Sequence, residues 1–306
     1  RILHNAGLDI ERYQEGYELS KKYIIKNNNI DEILVETFIG NCLQLGDDYA
    51  KEAVHFLETT AFNWKNNAVL CGLAAQLYLS ASGDIKTSLK LNKLANKLHP
   101  ENINLIWNLS LNQLRTGELE EGLKNYEIRF SWPDFPSPRR KFKKPRFHPG
   151  VDKNSKIMLW YEQGIGDQLR FLSALPKFQE EFPNLRLEPS RKTEVLLNNS
   201  FPHLHTQIDN FHPEELYAYE EDFDYHLPYG SMFTYVIGNY GEKILNPDFS
   251  ILHGYLKPEK LRAHFWSEKL SKLSSKPKVG FCWRSGLVNK KRNTVPVIVV
   301  GNLTVG

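Results

Sequence analysis

Residues 70–100 decide the fold of the first half of the chain, and they read LCGLAAQLYLSASGDIKTSLKLNKLANKLHP. Apolar residues recur at helical spacing on both sides of the GDI triplet at residues 83–85. The triplet GEL at residues 117–119 follows 34 positions later in the same pattern. This period predicts antiparallel helices joined by a tight turn at each glycine, where a side chain would obstruct a left-handed backbone or separate the helices.

The repeat extends towards the start of the chain. Gly46 precedes another apolar helical pattern, and residues 10–25 read as the second helix of a further unit. A 34-residue period is that of tetratricopeptide repeats, and residues 1–132 resemble that family, with Ser88 and Gly122 in place of its usual small Ala. A generic helical bundle is the alternative. In either case the helices carry no catalytic constellation.

A proline-rich, basic segment follows. The sequence WPDFPSP at residues 132–138 must end any helix. Six Lys or Arg then fall within residues 139–146, which would suit an anionic partner. We prefer a solvated tether between domains, because no array of stacking aromatic residues accompanies the charges. The sequence therefore predicts a linker at residues 133–153.

A strand, a glycine-rich turn and a helix come next. KIMLWY at residues 156–161 predicts a buried parallel strand, EQGIGD at residues 162–167 is the turn, and helical spacing resumes at Leu169. Pro176 should kink or end that helix. The G-x-G pattern lacks a third glycine, so it does not predict NAD binding.

Alternating elements continue to the end of the chain and indicate a Rossmann-like domain with a parallel sheet at residues 154–276. Ser190 is a candidate N-cap for a helix that includes residues 194–197. Further strands are expected at residues 185–187, 204–208, 223–227 and 278–283, and a helix is expected to start near Ser231.

Four motifs occur in a fixed order. They are YEIR at residues 126–129, EQGIGD at residues 162–167, FDYHLP at residues 223–228 and VGFCWRSG at residues 279–286. Their order resembles bacterial proteins in which tetratricopeptide repeats precede a GT-B glycosyltransferase module, related to heptosyltransferases and more distantly to O-linked N-acetylglucosamine transferases. The resemblance implies an α plus α/β fold, with two Rossmann-like domains facing a cleft.

The resemblance also implies roles for the glycine-rich turn. Asp167 would be the general base that takes a proton from the acceptor hydroxyl as it attacks the anomeric carbon. Gln163, Gly164 and Gly166 would keep the backbone close to substrate or phosphate. The alternative is that Asp167 caps the helix that begins there, where the helix dipole favours its charge, and both roles can hold together.

The donor would be a nucleotide sugar, with no separate cofactor and no metal. Arg284 and Ser285 would meet the departing diphosphate, although ordinary loop residues are the alternative. A protein or glycan acceptor would bind through the groove of the repeats. The implied function is metal-independent, inverting glycosyl transfer.

Two other polar patterns have structural explanations that we prefer. Asp222 and Asp224 form a D-x-D, which can chelate a divalent cation but here opens a predicted strand. His203 and His205 form an H-x-H without a third ligand nearby, which is typical of a surface loop.

Composition excludes several classes of protein. The chain has 306 residues, of which 41% are hydrophobic, enough for a folded core. A net charge of +3 is too small to indicate nucleic-acid binding. Three cysteines without C-x-x-C spacing exclude a disulfide framework and a zinc ribbon, and they suit a reducing, cytoplasmic compartment. No apolar run approaches the roughly 20 residues of a membrane span.

The end of the chain departs from the GT-B pattern. Residues 277–306 would be an incomplete start of the second domain, because that domain needs roughly another 100 residues. Residues 294–306 resemble instead the strand that precedes the phosphate loop of tetraacyldisaccharide 4′-kinase, but no Walker A Lys follows, so kinase activity is not supported.

Two functional interpretations remain. The first is the N-terminal portion of a glycosyltransferase, inactive as truncated because donor and acceptor are not brought together. The second is a non-catalytic repeat scaffold that binds proteins and carries a vestigial Rossmann-like domain.

Overall fold

The computed structural model describes residues 10–26, 31–137, 139–206, 222–241 and 254–272. Its first part, which we call the repeat region, is a stack of antiparallel helical hairpins. The helices are α1 (Ile10–Lys26), α2 (Glu32–Leu45), α3 (Asp47–Thr59), α4 (Ala68–Ser82), α5 (Ile85–Leu98), α6 (Ile103–Thr116) and α7 (Leu119–Tyr126). Short 3₁₀ helices lie at Trp64–Asn66 and Glu127–Ser131.

The hairpin turns have the predicted backbone. Gly83 ends α4 with φ 71°, and Gly117 ends α6 with φ 84°, both in the left-handed region. The N–H of each glycine donates to a carbonyl of the last helical turn, which satisfies groups that the helix end would leave free. Asp84 then caps α5 by accepting from the N–H of Thr87 at 3.0 Å. The 34-residue period is therefore a repeat of structure.

The second part is a parallel sheet with helices between its strands, as the sequence predicts. The strands are β1 (Ile157–Trp160), β2 (Leu185–Glu188), β3 (His205–Thr206) and β4 (Tyr225–Pro228). Their order in the sheet is β3-β2-β1-β4, and Leu159 of β1 lies opposite Leu187 of β2 and Leu227 of β4. The helices are α8 (Ile165–Leu172), α9 (Leu175–Glu181), α10 (Glu194–Ser200) and α11 (Tyr229–Tyr240).

The positions of Pro176 and of one helix cap change the helix bounds that the sequence predicts. The helix after the glycine-rich turn ends at Leu172, and Pro176 lies in the first turn of α9, where its missing N–H costs nothing. The prediction that Ser190 is an N-cap is wrong, because Thr193 precedes the first residue of α10. Residues 207–208 of the expected third strand lie outside the described residues.

The expected solvated tether is wrong for Arg140. The side chain of Arg140 is 3% exposed, pairs with Glu188 of β2 and lies over the ring of Trp160. Arg146 forms a parallel bridge with His226 of β4. The basic segment therefore packs along the sheet, since β4 would otherwise leave one edge unpaired there.

The described residues fall into two compact units. The first extends to Lys257, and the second begins at Pro258. The second unit contributes one described helix, α12 (Lys260–Ser271), none of whose residues is buried. Residues 278–286, which include Arg284 and Ser285, and the tail at residues 294–306 lie outside the described residues. No described helix has the length and hydropathy that a membrane crossing requires.

Candidate functional site

The topology of the sheet defines one place where a ligand would be expected. The chain passes from β1 to β2 and β3 on one side, and returns to β4 on the other side of β1. In open parallel sheets, ligands bind outside the carboxyl ends of the strands where the order reverses in this way. Two segments meet there: the glycine turn, as we call residues 162–167, and the start of α11.

Backbone strain in the glycine turn falls on Gln163. Its φ is 60°, and it is the one non-glycine residue with positive φ among the described residues. Its N–H donates to Ser137 Oγ at 2.6 Å, and its side-chain Nε2 donates to Tyr126 Oη at 2.5 Å. Such a conformation costs on the order of 1–3 kcal/mol and persists only where surrounding contacts impose it. Two contacts from outside the turn do so here.

The two glycines of the turn are not required by the protein around them. Gly164 precedes α8 with an ordinary φ of −79°. A Cβ at Gly166 would meet no atom within 4 Å, and one at Gly164 would meet only Asp167 Oδ2 at 3.6 Å. Neither backbone conformation nor close packing therefore explains the missing side chains. Their absence leaves open space before the first turn of α8.

Asp167 lies beside this space. It is the third residue of α8, its side chain is 38% exposed, and its Oδ1 lies 3.5 Å from a guanidinium nitrogen of Arg170. The N-cap position belongs to Gly164, so Asp167 does not occupy it. A carboxylate in a first helical turn is stabilised by the helix dipole. The group is thus an ionisable side chain within reach of solvent at the edge of the sheet.

A buried ion pair lies directly beneath the turn. Glu162 and Arg129 both have fully buried side chains and form a bidentate pair, with N–O distances of 2.8 and 2.9 Å. The N–H of Gly230 also donates to Glu162 Oε1 at 2.8 Å. A Cβ at Gly230 would lie 2.2 Å from that oxygen, so only glycine fits. The amino end of α11, a natural anion site, is therefore filled by the protein's own carboxylate.

The pair belongs to a larger network that joins the repeat region to the sheet. Glu127 accepts from Arg129 at 2.9 Å, from Arg146 at 2.5 Å and from Ser231 Oγ at 2.8 Å. Burial raises the pKa of Glu127, but these three partners together hold it below its usual value. Burial lowers the pKa of Arg129, and Glu162 with Glu127 more than compensates. Glu127 and Arg129 are therefore stabilised in their charged forms by the groups around them.

A row of aromatic rings leads from the turn into the repeat region. Tyr126, the partner of Gln163, stacks on Trp107 with 5.3 Å between centroids, and Trp107 stacks on Trp132 at 4.7 Å. Trp132 Nε1 donates to Asn104 Oδ1 at 3.0 Å. Burial raises the pKa of Tyr126 to about 12, so its hydroxyl stays protonated. Helices α4 and α6 and this row border a pocket of about 390 Å³, the groove pocket, which is lined by Val69, Gly72, Leu73, Gln76, Asn102, Asn104, Leu105, Asn108, Trp132 and Asp134.

Arginines around the turn are matched with carboxylates. Arg129 pairs with Glu162, Arg140 with Glu188, and Arg170 with Asp167. A diphosphate is held best by guanidinium groups that can turn both donors towards it. These three arginines therefore already have carboxylate partners, and phosphate binding by Gly164 and Gly166 stays a prediction.

The other polar motifs lie elsewhere. Asp222 pairs with Arg186 at 2.8 Å, and Asp224 accepts from the N–H of Lys156 at 2.9 Å, immediately before β1 and β4 begin. The D-x-D is therefore at the opposite edge of the sheet from the glycine turn. His203 contacts Gln179 at 3.2 Å. Among the described residues, no three His, Cys, Asp or Glu side chains come together as a metal site would require.

Arg129 and Glu162 lie within the motifs YEIR and EQGIGD, but the motifs alone assign them no role. The sequence contains one signal for their burial. Both are ionisable residues next to strongly apolar ones, in IRF at residues 128–130 and in WYE at residues 160–162. Charged residues in such settings are buried only when paired. Their separation of 33 positions hid the pairing.

Fold and site define an α plus α/β protein in which helical repeats are joined to a Rossmann-like sheet. Protein FlbA of Caulobacter vibrioides is similar to it, with 30% identity over 190 residues. The match covers 58% of this chain and 31% of FlbA, so the chain spans about a third of that relative. No protein-family model matches the chain, and no solved structure matches it. The similarity is distant and assigns no family.

Proposed function

We propose that the chain is the acceptor-binding portion of a metal-independent glycosyltransferase that uses a nucleotide sugar. One observation carries the proposal: at the reversal point of the sheet, a strained turn presents the partly exposed carboxylate of Asp167 beside open space at Gly166. Strained backbone clusters at functional sites, and a carboxylate at a cleft edge can act as a general base.

The chemistry assigns each half of the reaction to a different segment. Asp167 takes the proton of the acceptor hydroxyl while the hydroxyl oxygen attacks the anomeric carbon, and the bond from that carbon to the nucleotide diphosphate breaks. Arg284 and Ser285 meet the charge that develops on the leaving group. Gln163, Gly164 and Gly166 keep the backbone close to substrate or phosphate.

The proposal includes an organisation of the chain and a compartment. Residues 1–132 form the repeats, residues 133–153 the connection, residues 154–276 the first Rossmann-like domain and residues 277–306 the start of a second. The groove of the repeats holds a protein or glycan acceptor, and nucleic acid is not a partner. A cytoplasmic location suits the free, buried thiols of Cys42 and Cys71.

A second candidate is a non-catalytic scaffold that binds peptides along its repeats. The observation in its favour is the buried Arg129–Glu162 pair, which gives the glycine turn a structural role that needs no substrate. The carboxamide-rich lining of the groove pocket suits the backbone of an extended peptide. On this alternative Asp167 is a surface residue.

Sugar transfer from UDP- and ADP-sugars distinguishes the two candidates. The assay uses this chain and a longer form that includes a complete second domain, with mass spectrometry of acceptor mixtures. We expect the longer form to transfer sugar and Asp167→Asn to lower the rate by about 10²–10⁴-fold at unchanged thermal stability. Asp48→Asn is a matched control, because Asp48 also lies in a first helical turn and pairs with a cation three residues on.

Two results would contradict the proposal that the chain is part of a glycosyltransferase. One is peptide binding without any response to nucleotide sugars in either form. The other is equal transfer rates for Asp167→Asn and Asp48→Asn, which would remove Asp167 from the reaction while leaving the repeats as a binding module.

A further inference from the structure

The repeat region departs from its own period at one joint. Gly46 and Gly83 are 37 positions apart, whereas Gly83 and Gly117 are 34 apart. The longer connection between α3 and α4 contains the 3₁₀ helix Trp64–Asn66. Trp64 is 6% exposed, and its Nε1 donates to the carbonyl of Leu57 at 3.0 Å. The inserted indole is thus fixed in the joint with its polar group satisfied.

A cavity lies beside this indole, on the side of the stack formed by α3 and α5. We call it the Trp64 pocket. Its volume is about 610 Å³, within the range of about 300–1,000 Å³ that small-molecule sites occupy. It shares no residue with the groove pocket and is lined by Leu57, Glu58, Trp64, Lys65, Tyr78, Thr87, Lys90, Leu91 and Leu94.

The charges of the lining are unbalanced. Lys65 Nζ lies 5.3 Å from the centre of the Trp64 ring, and neither Lys65 nor Lys90 has a carboxylate partner in the described part of the chain. The carboxylate of Glu58 accepts from Tyr78 Oη at 3.0 Å. By contrast, Lys93 on the same helix pairs with Glu118 at 2.6 Å. The lining therefore carries the ammonium groups of two solvent-exposed lysines and one carboxylate, which leaves an excess of one positive charge beside a mostly apolar cavity.

We propose that the Trp64 pocket binds a small amphiphilic monocarboxylate. Its apolar body packs against Trp64, Leu91 and Leu94, and its carboxylate lies beside Lys65 and Lys90. An acid satisfies the excess positive charge, whereas a neutral or cationic ligand of the same shape does not. The lining residues come from α4, α5, the end of α3 and the connection between α3 and α4. Such a lining encloses a single compact ligand and not an extended chain. This site is independent of sugar transfer.

Isothermal titration calorimetry of the whole chain tests the proposal with 1-naphthaleneacetate and its uncharged amide, 1-naphthaleneacetamide. We expect one site per chain and at least fivefold tighter binding of the acid. Lys90→Glu should weaken the acid about fivefold or more, since an attraction becomes a repulsion, and leave the amide unchanged. Lys86→Glu is the control, because Lys86 is exposed on the same helix but does not line the pocket.

Amide-proton chemical shifts locate the probe independently of these charges. Shifts confined to α3, α5 and the connection around Trp64 are expected. The proposal is overturned if acid and amide bind equally, if Lys90→Glu behaves like Lys86→Glu, if no binding is detected at millimolar probe, or if the shifts fall on the groove pocket.

Discussion

Backbone conformation requires glycine in the hairpin turns of the repeat region but not in the glycine turn. Gly83 and Gly117 occupy left-handed conformations that close hairpins, so the backbone itself requires them. In the glycine turn the positive φ belongs to Gln163, while Gly164 has an ordinary conformation. The first kind of turn is determined locally. The second is imposed by Tyr126 and Ser137, which contact Gln163 from elsewhere in the chain.

The two regions also differ in how they use charge. Ion pairs within the repeat region are exposed, as between Lys93 and Glu118, whose side chains are 50% and 37% exposed. The junction with the sheet buries Arg129 and Glu162 completely. Exposed pairs contribute little to stability, whereas a buried charge that loses its partner is strongly destabilising. Removing one charge from each region therefore tests the contrast.

The largest expected effect is that of Arg129→Met. It leaves Glu162 buried without a cation and should lower the free energy of unfolding by about 3–5 kcal/mol, measured by urea denaturation. Lys93→Met, the matched change in the repeat region, should cost less than about 1 kcal/mol. Adding Glu162→Gln to Arg129→Met should recover much of the loss, because the amide oxygen can still accept from Gly230. Equal costs for the two single variants would refute the contrast.

The contrast also explains what the sequence could and could not reveal. The hairpins could be predicted because Gly83, Asp84 and their apolar neighbours act within a few positions of one another. Strand β1 could be predicted because it is short, apolar and buried on both faces, and β2 because two leucines alternate with polar residues. Arg140 could not, because a charge run reads as solvated until the carboxylate of Glu188, 48 positions away, is placed beside it.

The same holds for the candidate site. The glycine pattern predicts a site after β1, and the resemblance carried by the motif order implies the role of Asp167, which stays a prediction. The strain at Gln163 was not predictable, since no local signal marks a glutamine for positive φ. It depends on contacts made 26 and 37 positions away, from Ser137 and Tyr126. Tertiary contacts override local preference where distant segments meet.

A smaller loss of stability is expected at acidic pH, and it arises in the sheet. His226 accepts from Trp160 Nε1 at 3.2 Å and lies against the ring of Phe142. Burial, with Arg146 and Arg140 nearby, lowers its pKa to about 4. Between pH 6.5 and pH 4 the unfolded chain takes up a proton that the folded chain does not, so stability falls with decreasing pH. The loss should be about 2 kcal/mol, less than the full shift because the ring is only partly buried.

Urea denaturation at pH 7 and at pH 4.5 measures this loss. His226→Gln keeps an acceptor for Trp160 but cannot be protonated, so the pH dependence of its stability should be shallower by the same amount. Parallel pH profiles for the two proteins would show that His226 titrates normally in the folded chain.

The smallest effects come from exchanging residues between the two kinds of turn. Gly83→Ala should cost about 1 kcal/mol, since alanine must adopt the left-handed conformation. At Gln163 glycine should again be favoured over alanine: both Gln163→Gly and Gln163→Ala lose the hydrogen bond to Tyr126, but only glycine relieves the backbone strain. Gln163→Gly should therefore be more stable than Gln163→Ala by about 0.5–1 kcal/mol, the relief of strain exceeding the added entropy of the unfolded chain. If Gln163→Ala is instead the more stable of the two, the turn is relaxed. Strain would then no longer distinguish it from the hairpins, and the glycine turn would lack the main physical feature that favours a functional site there.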